Sequence, residues 1–497
     1  LDYTDNVTTN YALRRVNGAW AALGSGFDGK INCIVVDAER GRVYFGGSFS
    51  TANGVTVNSV TYWNGTTFVA MGGTPGVTKA SPPATVSALA LAANGDLWVG
   101  GDFTSAGGST ADGLARWNVS AGTWTVFTNG APGDAIYALA IDASGNVYGG
   151  GNFANWDGNG SEDYIWKYNG SAFSALGTGM NGYVYSLAVH PDGKVFVGGG
   201  FTTGNGVTLN GIGYWNGSTF VAMGSTAGIS GGSAAVQVVT VLRNGNVVIG
   251  GSFTSAGGVS AAYIASWNGT AFSALGTGMD AVVYGITELP NSALVAGGNF
   301  TTAGGLALTD RIALWNGYTW AALDLDWPGS PVTLALAYYN GALYASINST
   351  GGTATAAGIT SVTNTGLSEV YPDVSVIGPS SSTATLQWLE NQTVDSTLYF
   401  NLTVNTLETI GVSFAPGDKT VRTLWAGRPS ARSENGGRVG GVGGGVVRGN
   451  GSASLLTGGG QRFPGIIRGQ PLAGSDFLAF RLVPGANTIA AFMTGTT

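Results

Sequence analysis

The sequence predicts an all-β chain: a seven-bladed β-propeller with four-stranded blades over residues 1–370, then an antiparallel β-sandwich over 371–497. Three observations carry this reading. The first is composition. Of 497 residues 85 are Gly, 44% are hydrophobic and only 9% are charged. A disordered chain has the opposite balance. Abundant Gly among Val, Thr and aromatic residues suits short strands joined by tight turns. The second is repetition at about fifty residues, a period at which one supersecondary unit is being copied. The third is a change of rhythm after Pro372. The length suits two or three domains.

Each repeat begins with two apolar segments around a turn, the second ending in a double Gly and a Phe. Examples are VYFGGSF at 43–49, LWVGGDF at 97–103, VYGGGNF at 147–153 and VFVGGGF at 195–201, then VVIGGSF at 247–253 and LVAGGNF at 294–300. Phe49, Phe103, Phe153, Phe201, Phe253 and Phe300 are spaced by 54, 50, 48, 52 and 47 residues. ALYASIN at 342–348 is a degenerate seventh copy. The second half of the unit is YWNGTTFVAMG at 62–72, returning as YWNGSTFVAMG at 214–224, SWNGTAFSALG at 266–276 and LWNGYTWAALD at 314–324. Asn-Gly pairs such as Asn64-Gly65 and Asn94-Gly95 suit two-residue hairpins, because both residues tolerate positive φ. Two hairpins make four strands, the size of one propeller blade.

The ends of the repeat region suggest closure. ALRRVNGAWAAL at 12–23 is a second half-unit with no first half before it, and the seventh first half lies near 332–348. Pairing them would remove two exposed sheet edges. A weak copy, ITSVTNTGLSEV at 359–370, competes for the same place. The tryptophans Trp63, Trp117, Trp215, Trp267 and Trp315 are expected to pack between blades.

The double Gly followed by spaced aromatics resembles the kelch-type propeller pattern. GGSFTSAGG at 250–258 and WNGTAFSALG at 267–276 are similar to WNG-repeat propellers of phage and bacterial surface proteins and of a fungal cell-surface landmark family. The resemblance spans about 12–370 and implies a fold more than a function. A kelch-like copper oxidase would need a Tyr–Cys pair and two histidines. His190 is the single histidine, so that chemistry is excluded.

After Pro372, segments such as ATLQWLEN, LYFNLTVN, TIGVSFAPG and KTVRTLWAG read as sandwich strands. Together with GSDFLAFRLVPGANTIAAFMTGTT they resemble the C-terminal β-sandwich of siphophage distal-tail proteins. That resemblance covers about 384–427 and 470–497. It implies assembly and brings no catalytic residues. The sequence departs from it at an insertion, 427–469, that is rich in Gly and carries Arg428, Arg432, Arg438, Arg448, Arg462 and Arg468 against one acid, Glu434. This insertion is either a surface excursion or an assembly arm whose charge complements an acidic propeller on a neighbour.

Chemistry-bearing residues are sparse. Cys33 sits in an apolar strand, and one cysteine forms neither an intrachain disulfide nor a Cys-based metal site. His190 precedes a Pro-Asp-Gly turn, with no nucleophile motif beside it. The acid pairs Asp37/Glu39, Glu162/Asp163 and Asp324/Asp326 are candidates for glycoside hydrolysis, but the sialidase-type Asp box is absent. Asp157, Asn159, Ser161 and Asp163 alternate like the start of a calcium loop. Glu162 stands where such a loop has Gly, and Tyr168 where it has its bidentate Glu. Calcium is the one cofactor the sequence brings up. Asn64, Asn118, Asn169, Asn216 and Asn268 head Asn-X-Ser/Thr sequons, and the turns they occupy also want Asn. Net charge −7 argues against nucleic-acid binding, and no apolar run is long enough for a membrane span.

These readings point to a non-enzymatic structural subunit of an extracellular or virion assembly, pairing with copies of itself or with tail proteins. A glycan-binding adhesin of lectin type is the alternative, and a glycoside hydrolase is the third reading.

Overall fold

The computed structural model describes residues 7–16, 19–81, 83–128, 135–153, 164–308, 311–323, 332–354, 359–364, 373–377, 384–391, 396–404, 408–415, 418–425, 446–448 and 485–495. Every regular element among them is a β-strand, and among these described residues no helix is long and apolar enough to cross a membrane.

Between residues 7 and 354 the strands form seven four-stranded antiparallel sheets among the described residues. Sheet I holds Lys30–Asp37, Arg42–Ser48, Val60–Trp63 and Phe68–Val69. Sheet II holds Thr85–Leu91, Leu97–Asp102, Leu114–Asn118 and Thr123–Phe127. Sheet III holds Ala135–Ile141, Val147–Asn152, Ile165–Tyr168 and Phe173–Ala175. Sheets IV, V and VI repeat the plan from leading strands Val184–Val189, Ala235–Val241 and Val283–Glu288. Sheet VII joins Thr333–Tyr339 and Ala342–Ala354 to Val7–Val16 and Ala19–Ala22. Each leading strand packs beside the leading strand of the next sheet, and that of sheet VII packs beside that of sheet I. Four-stranded sheets set around an axis in this way make a β-propeller.

The double Gly explains how the sheets nest. Its first Gly sits opposite a β-branched side chain of the next leading strand. A Cβ at Gly46 would lie 2.5 Å from Val86 Cγ1, one at Gly100 2.6 Å from Ile136 Cγ2, and one at Gly250 2.7 Å from Val283 Cγ1. Gly150, Gly198 and Gly297 take Val184, Val236 and Thr333 in the same way. All six of these side chains are fully buried. The second Gly faces its own leading strand: a Cβ at Gly47, Gly101, Gly151 or Gly251 would strike the carbonyl of Lys30, Thr85, Ala135 or Ala235. The leading strand bulges there, its register skipping one residue just after the buried side chain, as between Val86 and Ala88 or Ile136 and Ala138.

The rims are fixed by aromatics. Trp63 stacks edge-on with Phe68, Trp215 with Phe220 and Trp267 lies tilted on Phe272, at centroid separations of 5.0, 4.9 and 4.8 Å. Indoles also tie sheets together. Trp124 Nε1 donates to Met71 O at 3.0 Å, Trp320 Nε1 to Leu275 O at 2.8 Å and Trp20 Nε1 to Leu323 O at 3.1 Å. The last bond joins sheet VII to sheet VI. Leu13 pairs with Ala345 and Ala12 with Ser346, so residues of the N-terminal half-unit share a sheet with the seventh first half.

Beyond residue 354 two further four-stranded sheets form. One is ordered Ile359–Asn364, Gly485–Gly495, Ala384–Asn391, Ser396–Val404. The other is ordered Asp373–Ile377, Glu408–Ala415, Asp418–Trp425, Val446–Arg448. Ile359–Asn364 pairs with Gly485–Gly495, so its backbone belongs with these sheets rather than with the repeats, where its sequence likeness put it.

The turns refine one expectation. At Asn64-Gly65 and Asn94-Gly95 only the Gly has positive φ, 100° and 86°. Two-residue turns with both residues at positive φ occur elsewhere. Asn53-Gly54, Asn205-Gly206 and Gly257-Gly258 cap short hairpins between the second and third strands of their sheets.

The Gly–β-branched nesting has a direct test. Gly100→Val places methyl groups against Ile136 and destabilises the protein by about 1–3 kcal/mol in urea denaturation. Gly73→Ala, with open space around it and no positive φ, stays neutral or slightly stabilising, within about 1 kcal/mol.

Candidate functional site

Antiparallel order gives the ring two distinct faces. Links from the first to the second strand and from the third to the fourth lie on one, the turn face. Links from the second to the third strand, and from one sheet to the next, lie on the other, the hairpin face.

The residue skipped at each leading-strand bulge sits near the hairpin face. In order from sheet I to sheet VI these residues are Asn32, Ser87, Tyr137, Tyr185, Gln237 and Tyr284. Sheets III and IV are therefore the neighbouring pair in which both are aromatic. Tyr137 and Tyr185 lie 6.0 Å apart between ring centroids, Tyr185 and Tyr183 6.2 Å, and Tyr183 and Tyr164 5.8 Å. Tyr183 is 43% exposed.

The backbone holds this group in place. Tyr183 O accepts Gly200 N–H at 2.9 Å, and Tyr164 O accepts Gly151 N–H at 3.1 Å. Tyr164 has φ 48°, a conformation that non-Gly residues adopt only where surrounding structure imposes it. Burial raises the Tyr185 pKa, and the nearby phenols of Tyr137 and Tyr183 raise it further. Its hydroxyl therefore stays protonated, a hydrogen-bond donor, across the neutral range. The cluster offers flat aromatic faces and neutral hydroxyls on a rigid ring. Nothing in it resembles a nucleophile paired with a base.

The sequence candidates fall elsewhere. Asp157, Asn159, Ser161 and Asp163 lie outside the described residues, in the link that leads into Tyr164. Among the described residues no group of three or more His, Cys, Asp or Glu side chains could hold a metal ion. Arg428, Arg432, Arg438, Arg462 and Arg468 lie outside the described residues, and Arg448 ends the short strand paired with Asp418–Trp425. Of the acid pairs, Asp37 is buried and bonded to Arg40, whereas Glu39 is exposed; the pairs 162/163 and 324/326 lie outside the described residues. Burial pushes the Cys33 thiol well above its usual range, which keeps it protonated and unreactive. Trp63, Trp117 and Trp267 are buried and Trp215 and Trp315 partly so, which leaves no free indole face for a ligand at the first three.

The five sequon asparagines all lie on the turn face. The Asn64 carboxamide oxygen accepts the amides of Thr66 and Thr67 at 3.0 and 2.9 Å. Asn118, Asn169, Asn216 and Asn268 close their turns in the same way. His190 is also a turn-face residue: Nε2 contacts Gly245 O of the next sheet at 3.0 Å, and Nδ1 lies 2.6 Å from Asp192 Oδ1.

The tyrosine cluster escaped the sequence reading. Its signal is an aromatic at the third position of AIYA (135–138) and of YVYS (183–186), but alternation alone does not reveal that this residue is skipped. The short hairpins were signalled by the Asn-Gly or Gly-Gly pair that follows each Phe.

One family model matches part of the chain, residues 190–212, and is described as "Domain of unknown function (DUF5122) beta-propeller". No curated protein matches. Among solved structures, the extracellular domain of a one-component system from B. thetaiotaomicron is 10% identical with a TM-score of 0.45; the match covers 86% of this chain and 46% of that one. Virginiamycin B lyase from Staphylococcus aureus is 13% identical with a TM-score of 0.44, covering 66% of this chain and 94% of that one. The WD40 β-propeller domain of Doa1 is 13% identical with a TM-score of 0.42, covering 68% and 96%. At these levels the likeness carries no argument about activity.

The Asp192 turn gives a pH test. Burial would raise this carboxyl, but the Lys194 ammonium, the Lys194 backbone amide and His190 outweigh it and hold its pKa down at about 2. Its contribution to stability is thus present above the ordinary carboxylate range near pH 4 and lost as pH falls toward 2. In urea denaturation across pH, Asp192→Asn lowers the midpoint at pH 6, and the gap to the parent protein narrows as pH approaches 2.

Proposed function

We propose that the chain is a non-enzymatic structural subunit of an extracellular or virion assembly. In this reading a seven-bladed propeller is the rigid body and a C-terminal β-sandwich makes the contacts with other copies or with tail-type partners. The observation that carries it is where the chain leaves the ring. Val7–Val16 and Ala342–Ala354 stay paired past the level of the sheet, out to Val7 opposite Ala354 on the hairpin face. The next strand starts at Ile359, so the C-terminal sheets are tethered to that same face. A closed ring with one tethered module on one face suits polar stacking of subunits. The tail-protein resemblance and the arginines of 427–469 favour the same reading, since an arm of net positive charge complements a chain of net charge −7.

The test is the mass of the purified full chain by light scattering, with electron microscopy, over a range of concentrations. Ordered oligomers or filaments are expected, and replacing the six arginines with glutamine weakens them without lowering the melting temperature. Dispersed monomers at every concentration would sink the proposal.

The tyrosine cluster favours a second reading, glycan binding on the hairpin face. Phenol rings stack on sugar faces while their hydroxyls bond sugar hydroxyls. A glycan array with the parent chain should give hits that weaken about tenfold in Tyr183→Ala and Tyr185→Ala. An array without hits removes this reading.

A further inference from the structure

The turn-face asparagines do more than close turns, and a sixth counterpart shows it. Asn316 heads the same turn in sheet VI, where Tyr318 and Thr319 donate their amides to its carboxamide oxygen at 3.0 and 2.9 Å. That turn closes with Tyr318 where the others have Ser or Thr, so the hydroxyl two residues on is not demanded by turn geometry. Yet Thr66, Ser171, Ser218 and Thr270 all carry it, and each hydroxyl donates to its asparagine's Oδ1 at 2.9–3.0 Å.

The carboxamide nitrogens differ as well. Asn316 is buried, and its Nδ2 donates to Thr319 Oγ1 at 3.3 Å. Asn64, Asn169, Asn216 and Asn268 are exposed, and their Nδ2 atoms have no partner among the described residues. A Cβ added at the neighbouring Gly65, Gly170, Gly217 or Gly269 would meet nothing within 4 Å, so the turn tips stand clear of the rest of the ring. Asn118 heads a longer turn and is partly exposed.

We propose that the turn face is glycosylated through the Nδ2 atoms of Asn64, Asn118, Asn169, Asn216 and Asn268. In the transfer Nδ2 bonds to the anomeric carbon of a donor sugar with a phosphate leaving group. The carbon–oxygen bond to phosphate breaks, the phosphate keeps its electron pair, and the amide nitrogen gives up one proton. At Asn64, Asn169, Asn216 and Asn268 the bond from the Ser or Thr hydroxyl holds Oδ1 against the turn and leaves Nδ2 outward. The sugars would cover one face with hydrated bulk and leave the opposite face, where Val7 and Ala354 lie, free for protein contacts. The modification is independent of the assembly reading, since a monomer could carry it equally well.

The experiment is intact-mass and glycopeptide mass spectrometry on protein purified from its source cells. The expected mass exceeds the 50.1 kDa of the bare polypeptide, with added sugar mapped to the named asparagines and none on Asn316. A lone hexose at each site denotes a nucleotide-sugar donor, and a block of several sugars a lipid-linked one. Expressed in the same cells, Thr66→Ala loses the sugar at Asn64 and Thr66→Ser keeps it. Tyr318→Thr, which completes a sequon on the buried Asn316, stays bare. A bare 50.1 kDa mass overturns the proposal, and so does sugar on Asn316 in the Tyr318→Thr variant, because motif alone would then suffice.

Discussion

The ring depends on a hole meeting a knob. Wherever the second strand of a sheet carries its first Gly, the missing side chain admits a Val, Ile or Thr from the next leading strand. Each such side chain is removed from water, an effect worth about 1.5–3 kcal/mol for an aliphatic residue. Because the hole is on one sheet and the knob on the next, the contact sets the spacing and the sense of the whole circuit. The second Gly answers a different demand, the carbonyl pushed toward it at the leading-strand bulge. One pair of glycines thus serves two neighbours, which is why the pair recurs while the residues around it vary.

Sheet VII departs from this rule and shows what the rule is for. It has Ala345-Ser346 instead of two glycines, and Ser346 Oγ accepts the Ala335 amide at 2.8 Å. Ala345 thus has a methyl where the other sheets leave the hole, and Ser346 bonds inside its own sheet at the place of the second Gly. The junction is held by other means: the long pairing of Val7–Val16 with Ala342–Ala354, and the Trp20 indole reaching Leu323.

Much of this architecture was legible because the repeat is physical before it is textual. Double Gly, paired aromatics and Asn-Gly each answer a steric or hydrogen-bonding demand, so they survive from copy to copy and mark the strands. The candidate site was not legible for the same reason. Tyr137 and Tyr185 occupy a position where sheets I, II, V and VI have Asn32, Ser87, Gln237 and Tyr284, and Tyr183 one where other sheets have Lys, Thr, Ala or Val; their grouping follows from a bulge that shifts alternation by one residue. Sequence also does not reveal the geometry of Asn64-Gly65, because it sees a turn-forming pair without seeing that the Asn side chain, rather than its backbone, closes the turn.

Closing the ring with its own first strand has a consequence for how the chain matures. Val7–Val16 leaves the ribosome more than three hundred residues before Ala342–Ala354 does. Until then its edge has no partner, and the six intermediate sheets must assemble in sequence without a closed circuit. The entropic cost of that long-range pairing falls on the final step. The finished ring is therefore acquired only once residues 342–354 have been made. A chain interrupted before residue 342 presents two open edges that the finished protein never shows.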